Sequence, residues 1–170
     1  MLLMEILVCI FANAGNADAH GQPGVLPDLI LRSFSGKGAI ALSRMPSIRL
    51  VALISPADCP SCYECVLAEL NRLILCPEWM NRVICCVVGK EADAAAFAEE
   101  LRRRYAIGFG LVRAGEEDRR QRSFLSRVQT PGIFLIGDGL RLLAAHEVSP
   151  ATFLKVSSAI DSLMAAPGPE

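Results

Sequence analysis

Two stretches of the chain are apolar over most of their length without strand-like alternation. From Ile48 the run Ile-Arg-Leu-Val-Ala-Leu-Ile-Ser ends at Ser55-Pro56, and Val83 to Val88 is bounded by Gly89. Short runs rich in Val, Ile and Leu, closed by turn residues, are the mark of strands buried on both faces. Between them the period changes from two to 3.6. Pro60 opens a segment in which Tyr63, Val66, Leu67, Leu70, Leu73 and Ile74 recur at steps of three and four, which predicts an amphipathic helix that Pro77 ends. After Gly89 the residues Ala94, Phe97, Ala98, Leu101 and Tyr105 share one helical face. Strand, helix, strand, helix in this rhythm predicts a parallel sheet with right-handed crossovers.

The flanks carry weaker patterns. Residues 21–24 form a loop by composition, and Leu26-Pro27-Asp28-Leu29 leads to a tight turn at Ser35-Gly36-Lys37-Gly38, then a short strand from Ala39 to Leu42. A further short strand is predicted over Phe109 to Val112 and a charged helix over 116–127. Ile133 to Ile136 is joined by Gly137-Asp138-Gly139 to Leu140 through Ala145, which is a hairpin signal. Pro150 and the stripe of Phe153, Val156, Ile160 and Leu163 predict a last helix, ended by Pro167-Gly168-Pro169. The predicted class is α/β: a central mixed sheet with a parallel βαβ half and a C-terminal antiparallel hairpin, helices on both faces, in one domain over residues 20–166.

Composition narrows the partners. The 170 residues carry a net charge of −1, and the arginines near 102–104 and 119–122 are interleaved with acids, so no basic field is available to gather nucleic acid. The hydrophobic fraction of 52% is raised partly by the first dozen residues. Met1 to Ala19 holds an apolar run from Ile6 to Ala12 and then Ala17-Asp18-Ala19, which suits a cleavage signal. Residues 1–19 are thus expected to be a signal peptide or else an N-terminal extension, serving export or N-terminal membrane association. Glu5 and the lack of Lys or Arg ahead of the run weigh against export, and the run is far short of the roughly 20 residues of a membrane span. The expected location is periplasmic or otherwise extracytoplasmic, with the cytoplasm as the alternative.

Seven cysteines stand at 9, 59, 62, 65, 76, 85 and 86, without the even, regular spacing of a disulfide framework. The dense subset is 59, 62 and 65. Cys59-Pro60-Ser61-Cys62 falls where a strand hands over to a helix, with Cys59 at or beside the N-cap and Pro60 at the first helical position, where a missing N–H costs nothing. Free N–H groups and the positive end of the helix dipole favour a thiolate at Cys59 and lower its pKa. Cys62 comes almost one turn later, four residues ahead of Val66 on the apolar stripe, and is expected to be the less exposed, resolving thiol.

Two other readings of these cysteines stay open. They can be small apolar residues that cap and pack. Cys59, Cys62 and Cys65 can also hold zinc or part of an iron–sulfur cluster, although no second Cys or His pair at ligand spacing completes the coordination. The leading expectation is therefore no metal and no other cofactor. By helical geometry Cys65 points toward Glu69, Arg72 and Cys76, and Cys76 lies too far along the axis, about 16 Å, to bridge it. Cys85 and Cys86 are adjacent in a strand, point to opposite faces and are expected to fill the core. His20 and His146 show no spacing to the cysteines that suggests ligation or a catalytic pair.

Taken together, the Leu26-Pro27-Asp28 lead-in, the Gly36-Lys37-Gly38 turn, Cys59-Pro60-Ser61-Cys62, Thr130-Pro131 with the strand behind it, and the Gly137-Asp138-Gly139 hairpin resemble the thioredoxin superfamily. Within it they are most similar to the TlpA/ResA-like bacterial thiol–disulfide oxidoreductases and their redoxin relatives, over roughly residues 26–163. The resemblance implies a thioredoxin-like fold and a monomer that exchanges a Cys59–Cys62 dithiol and disulfide with protein substrates, as a reductant recharged by a redox partner protein. It implies a cis Pro131 beside the disulfide and a Thr130 backbone that pairs with the bound substrate chain. The family usually has an aromatic residue where Asp58 stands, and an acid there is expected to raise the Cys59 pKa against the helix dipole. Asp58, Pro60, Ser61 and Cys65 are thus the candidate modulators of the site. A peroxiredoxin-like peroxidase using Cys59 and a non-catalytic metal-binding module are the rival functions. For the first, Pro56-Ala57-Asp58 stands where a Thr or Ser three residues before the cysteine is wanted.

Overall fold

The computed structural model describes residues 24–35, 38–45, 49–115, 119–149, 152, 158, 160 and 161. Seven strands form one sheet: β1 (Ile30–Ser33), β2 (Ala39–Ala41), β3 (Leu50–Ile54), β4 (Val83–Val87), β5 (Gly110–Ala114), β6 (Gly132–Ile136) and β7 (Leu142–Glu147), in the spatial order β2-β1-β5-β4-β3-β6-β7. Among the described residues three bounded α-helices accompany them, α1 (Pro60–Leu73), α2 (Glu91–Arg104) and α3 (Arg119–Leu125), and Ser158, Ile160 and Asp161 are also helical. The β3–β4 and β4–β5 pairs are parallel, with Leu50 opposite Val83 and Ile84 opposite Gly110, and every other pair is antiparallel. This is the expected mixed sheet, with antiparallel strands added on both sides of the parallel centre.

The two apolar runs are the central strands because both of their faces are covered. Leu50, Ala52 and Ile54 of β3 and Cys85 of β4 pack with Val66, Leu67, Leu70 and Leu73 of α1 and with Ala94, Ala98 and Leu101 of α2. Val51 and Leu53, with Ile84 and Cys86, face the opposite layer, where Leu29, Leu31, Leu42 and Leu125 of α3 close the core. Removing a Leu or Ile side chain of this kind from water contributes about 1.5–3 kcal/mol. Ile160 is buried in the α1 layer, and Asp161 accepts a 2.7 Å hydrogen bond from Arg72 of α1. Apart from Thr152 and Ser158, the rest of the predicted last helix, like residues 1–19, His20 and the Gly36-Lys37 half of the predicted turn, lies outside the described residues.

Several boundaries differ from expectation for local physical reasons. The sequence pattern predicts no strand over Ile30–Ser33, yet Leu29 and Leu31 are buried while Ile30 and Arg32 are half-buried, and β1 joins β2 to β5. The predicted strand from Leu140 begins two residues later, because Gly139 and Leu140 adopt left-handed φ values of 64° and 62° in a 3-10 turn over Asp138–Leu140. α1 stops at Leu73, ahead of Pro77, and turns follow. Cys76 is therefore not on the face of Cys65 as predicted. It lies beyond the helix end.

Candidate active site

The chain leaves β3 at Ile54 and makes a turn closed by the Asp58 N–H donating to the Ser55 carbonyl at 3.0 Å. Cys59 is the N-cap of α1 (φ −58°, ψ 126°) and Pro60 takes the first helical position. The Cys59 carbonyl accepts from the N–H groups of Cys62 at 3.0 Å and Tyr63 at 3.2 Å. The placement predicted for Cys59-Pro60-Ser61-Cys62 is therefore the observed one, and it separates the two sulfurs. Cys59 is exposed, whereas Cys62 is 1% exposed and packs in the α1 core. Both are thiols in this structure.

Their acidities diverge accordingly. The Cys59 Sγ lies 3.0 Å from the Ser61 Oγ. That hydrogen bond is the largest influence on Cys59, followed by those from the Cys62 thiol and N–H, and together they hold its pKa below the ordinary thiol value. Burial pushes Cys62 the other way, up to about 11, with the hydrogen bond and charge of Cys59 adding to the rise.

Asp58 behaves differently from expectation. Its Oδ2 accepts from the Ser55 N–H at 2.6 Å and its Oδ1 from the Thr130 hydroxyl at 2.6 Å. The net shift at Cys59 is downward, set by the hydrogen bonds to sulfur against a smaller effect of burial, and the Asp58 charge acts as a minor upward influence on Cys62 instead. Asp58 itself is raised above the usual carboxylate range, because half-burial outweighs the two hydrogen bonds it accepts.

Thr130-Pro131 arrives at the same place from the far side of the sheet. The peptide between them is cis. β6 pairs antiparallel with β3 in a register that sets Gly132 against Leu53, so continuing it sets Pro131 against Ile54 and Thr130 against Ser55. The segment thus lies alongside the turn that carries Cys59. Gly132 was not singled out from the sequence, although a Cβ there would stand 2.9 Å from the Gln129 carbonyl oxygen and 3.1 Å from the Phe134 ring. The Pro131-Gly132 dipeptide was the available signal. Gly89 is a second such position, with φ of 147° where the loop after β4 passes Pro56.

The remaining cysteines stand apart from this chemistry. Cys65 is half-buried at the margin of the α1 core, and burial, then the Glu69 charge, raises its pKa. Cys85 and Cys86 are fully buried on opposite faces of β4, as predicted; burial holds Cys85 well above the ordinary thiol value and Cys86 at about 12. His146 lies in β7 opposite Ile133. Among the described residues no group of three or more His, Cys, Asp or Glu side chains is arranged to hold a metal ion, and no helix is long and apolar enough to cross a membrane.

No protein-family model and no curated protein matches the chain. Solved structures do. The thioredoxin-like superfamily protein SPOA0173 aligns over 85% of this chain and 99% of its own, at 18% identity and a TM-score of 0.58. The thioredoxin domain of thiol-disulfide oxidoreductase BVU-2223 from Bacteroides vulgatus covers 84% of this chain and 96% of its own at 12% identity, with a TM-score of 0.54. Thiol peroxidase from Chromobacterium violaceum covers 84% and 85% at 14% identity, with a TM-score of 0.56. At these identities the likeness is one of fold, and with the mixed sheet and the strand-to-helix cysteine pair it establishes that this chain has the thioredoxin-like fold.

Proposed function

We propose that the chain is a thiol–disulfide oxidoreductase that reduces disulfides of protein substrates through Cys59 and Cys62. The observation that supports this reading is the asymmetry of the pair: an exposed sulfur with a lowered pKa at a helix N-cap, and a buried partner held near 11 one turn away. The Cys59 thiolate attacks one sulfur of the substrate disulfide, that S–S bond breaks and the first substrate thiolate leaves. Cys62 then attacks the Cys59 sulfur, its proton passes to a departing substrate thiolate, and the mixed disulfide breaks. The substrate gains two electrons and Cys59–Cys62 becomes a disulfide, which a partner dithiol protein reduces again. The backbone at Thr130 pairs with the extended substrate chain, as the family resemblance implies. An extracytoplasmic site of action suits the export-like residues 1–19.

Thiol peroxidase chemistry at Cys59 is the competing reading, since a thiol peroxidase is among the similar structures. The leading influences on Cys59 are neutral hydrogen bonds from Ser61 and Cys62 rather than an activating guanidinium, which favours exchange over peroxide cleavage. Turnover of a peptide disulfide and of hydrogen peroxide, each with a dithiol donor, separates the two. Exchange predicts saturable reduction of the peptide and a Cys59–Cys62 disulfide by mass spectrometry. Rapid peroxide consumption without peptide reduction, with Cys59 captured as a sulfenic acid, overturns it.

A further inference from the structure

Asp58 occupies a position where its charge is not rewarded by the fold. Its carboxylate is half-buried, and burial outweighs the hydrogen bonds it accepts, so ionising it is less favourable here than in water. The carboxylate is nevertheless held by two 2.6 Å hydrogen bonds beside the cysteine turn, and their partners suggest what it does. One oxygen is tied to the Ser55 N–H at the end of β3, in the turn that delivers Cys59, and the other to the hydroxyl of Thr130, the residue that precedes Pro131.

These two segments belong to different strands and converge only because β6 runs antiparallel to β3. Besides that ladder, the hydrogen bond from the Thr130 hydroxyl to Asp58 ties the tips of the two segments together. We propose that Asp58 is a latch that fixes the Thr130 backbone edge at a set distance from Cys59, so that an extended substrate segment pairing with Thr130 delivers its disulfide to the sulfur. The role rests on the exchange reading above. Asp58 and the Thr130 hydroxyl are positioning groups, which touch the substrate only through the backbone they hold. The latch thus governs substrates with a peptide backbone and has little bearing on small disulfides, which reach the exposed Cys59 without pairing.

The test compares reduction of a peptide with an intrachain disulfide in an extended segment against reduction of hydroxyethyl disulfide, which has no backbone to pair. Asp58→Ala and Thr130→Val are each expected to raise KM for the peptide about tenfold with a smaller change in kcat, and to cost the peptide about tenfold more than the small disulfide in kcat/KM. Thr130→Ser, which keeps the hydroxyl, restores the peptide KM. The double variant is no worse than either single one, because both remove the same bond. Should Asp58→Ala fail to fold, the Thr130 pair of variants carries the comparison alone. Equal losses on both substrates, or none on the peptide, overturn the latch while leaving the exchange reading intact. A wild-type chain that reduces hydroxyethyl disulfide but not the peptide overturns that reading and the latch with it.

Discussion

Two cysteine pairs in this chain are close in sequence and opposite in chemistry. Cys59 and Cys62 open α1, while Cys85 and Cys86 are consecutive in β4. At the helix start the backbone has spare N–H groups, a hydroxyl lies within reach of one sulfur, and one member of the pair faces water while the other faces the core. In β4 Cys85 and Cys86 are each paired with β3 on one side and β5 on the other, both faces are covered, and the two sulfurs point away from each other into separate cores. The residue type is the same. What differs is access to donors and water, which suits one pair to the redox role proposed for it and leaves the other as packing.

The comparison breaks most visibly if the resolver is removed. Cys62→Ser is expected to lower turnover of a peptide disulfide roughly a thousandfold or more and to accumulate a dithiothreitol-reversible adduct on Cys59, while Cys59→Ser captures almost nothing. Equal adducts through both variants, or through Cys65, would reverse the roles assigned here. A second measure is alkylation of the folded, reduced protein at pH 7. A thiol with a pKa near that of Cys86, about 12, is ionised in roughly one molecule in 10⁵, against at least one in 100 for a thiol below 9, so Cys59 should react at least about a thousandfold faster than Cys85 or Cys86.

Smaller effects sharpen the contrast from the side of stability. Cys86→Ser buries a hydroxyl in an apolar layer and is expected to cost about 1–3 kcal/mol by denaturant unfolding of the reduced protein, whereas Cys59→Ser stays within about 0.5 kcal/mol. Comparable losses at the two positions would contradict the burial difference. Smallest is the effect of Ser61→Ala. The hydroxyl donates to the thiolate form, so its loss raises the Cys59 pKa and leaves less thiolate below neutral pH. Alkylation of Cys59 near pH 6 should slow about threefold and its pH profile move to higher pH. An unmoved profile would mean that the helix N-terminus alone sets the acidity.

Much of this is legible in the amino-acid sequence. The apolar runs marked β3 and β4 because a strand covered on both faces has no polar side to show, and the stripe from Tyr63 to Leu73 marked α1 because its buried face repeats every turn. Cys59 and Cys62 could be told apart because only Cys62 falls on that stripe. β1 was missed since four residues with one charge give too short an alternation, and its place between β2 and β5 depends on partners far along the chain. The end of α1 was misplaced because Pro77 only bars the helix from passing it, and the chain turned earlier, at Ile74.

By itself the sequence determined what short-range chemistry decides: the periods of strand and helix, the proline at the first turn, and a thiol at a helix start. Only the tertiary structure decided which way Asp58 turns. Read along the chain, Asp58 is simply an acid next to Cys59 that opposes its ionisation. In the fold its carboxylate reaches across the sheet to a hydroxyl 72 residues away, because β6 runs antiparallel beside β3 and brings Thr130 level with Ser55. Strand order and register emerge from the joint burial of all the apolar faces, so a contact that depends on them has no signature in the local residues that make it.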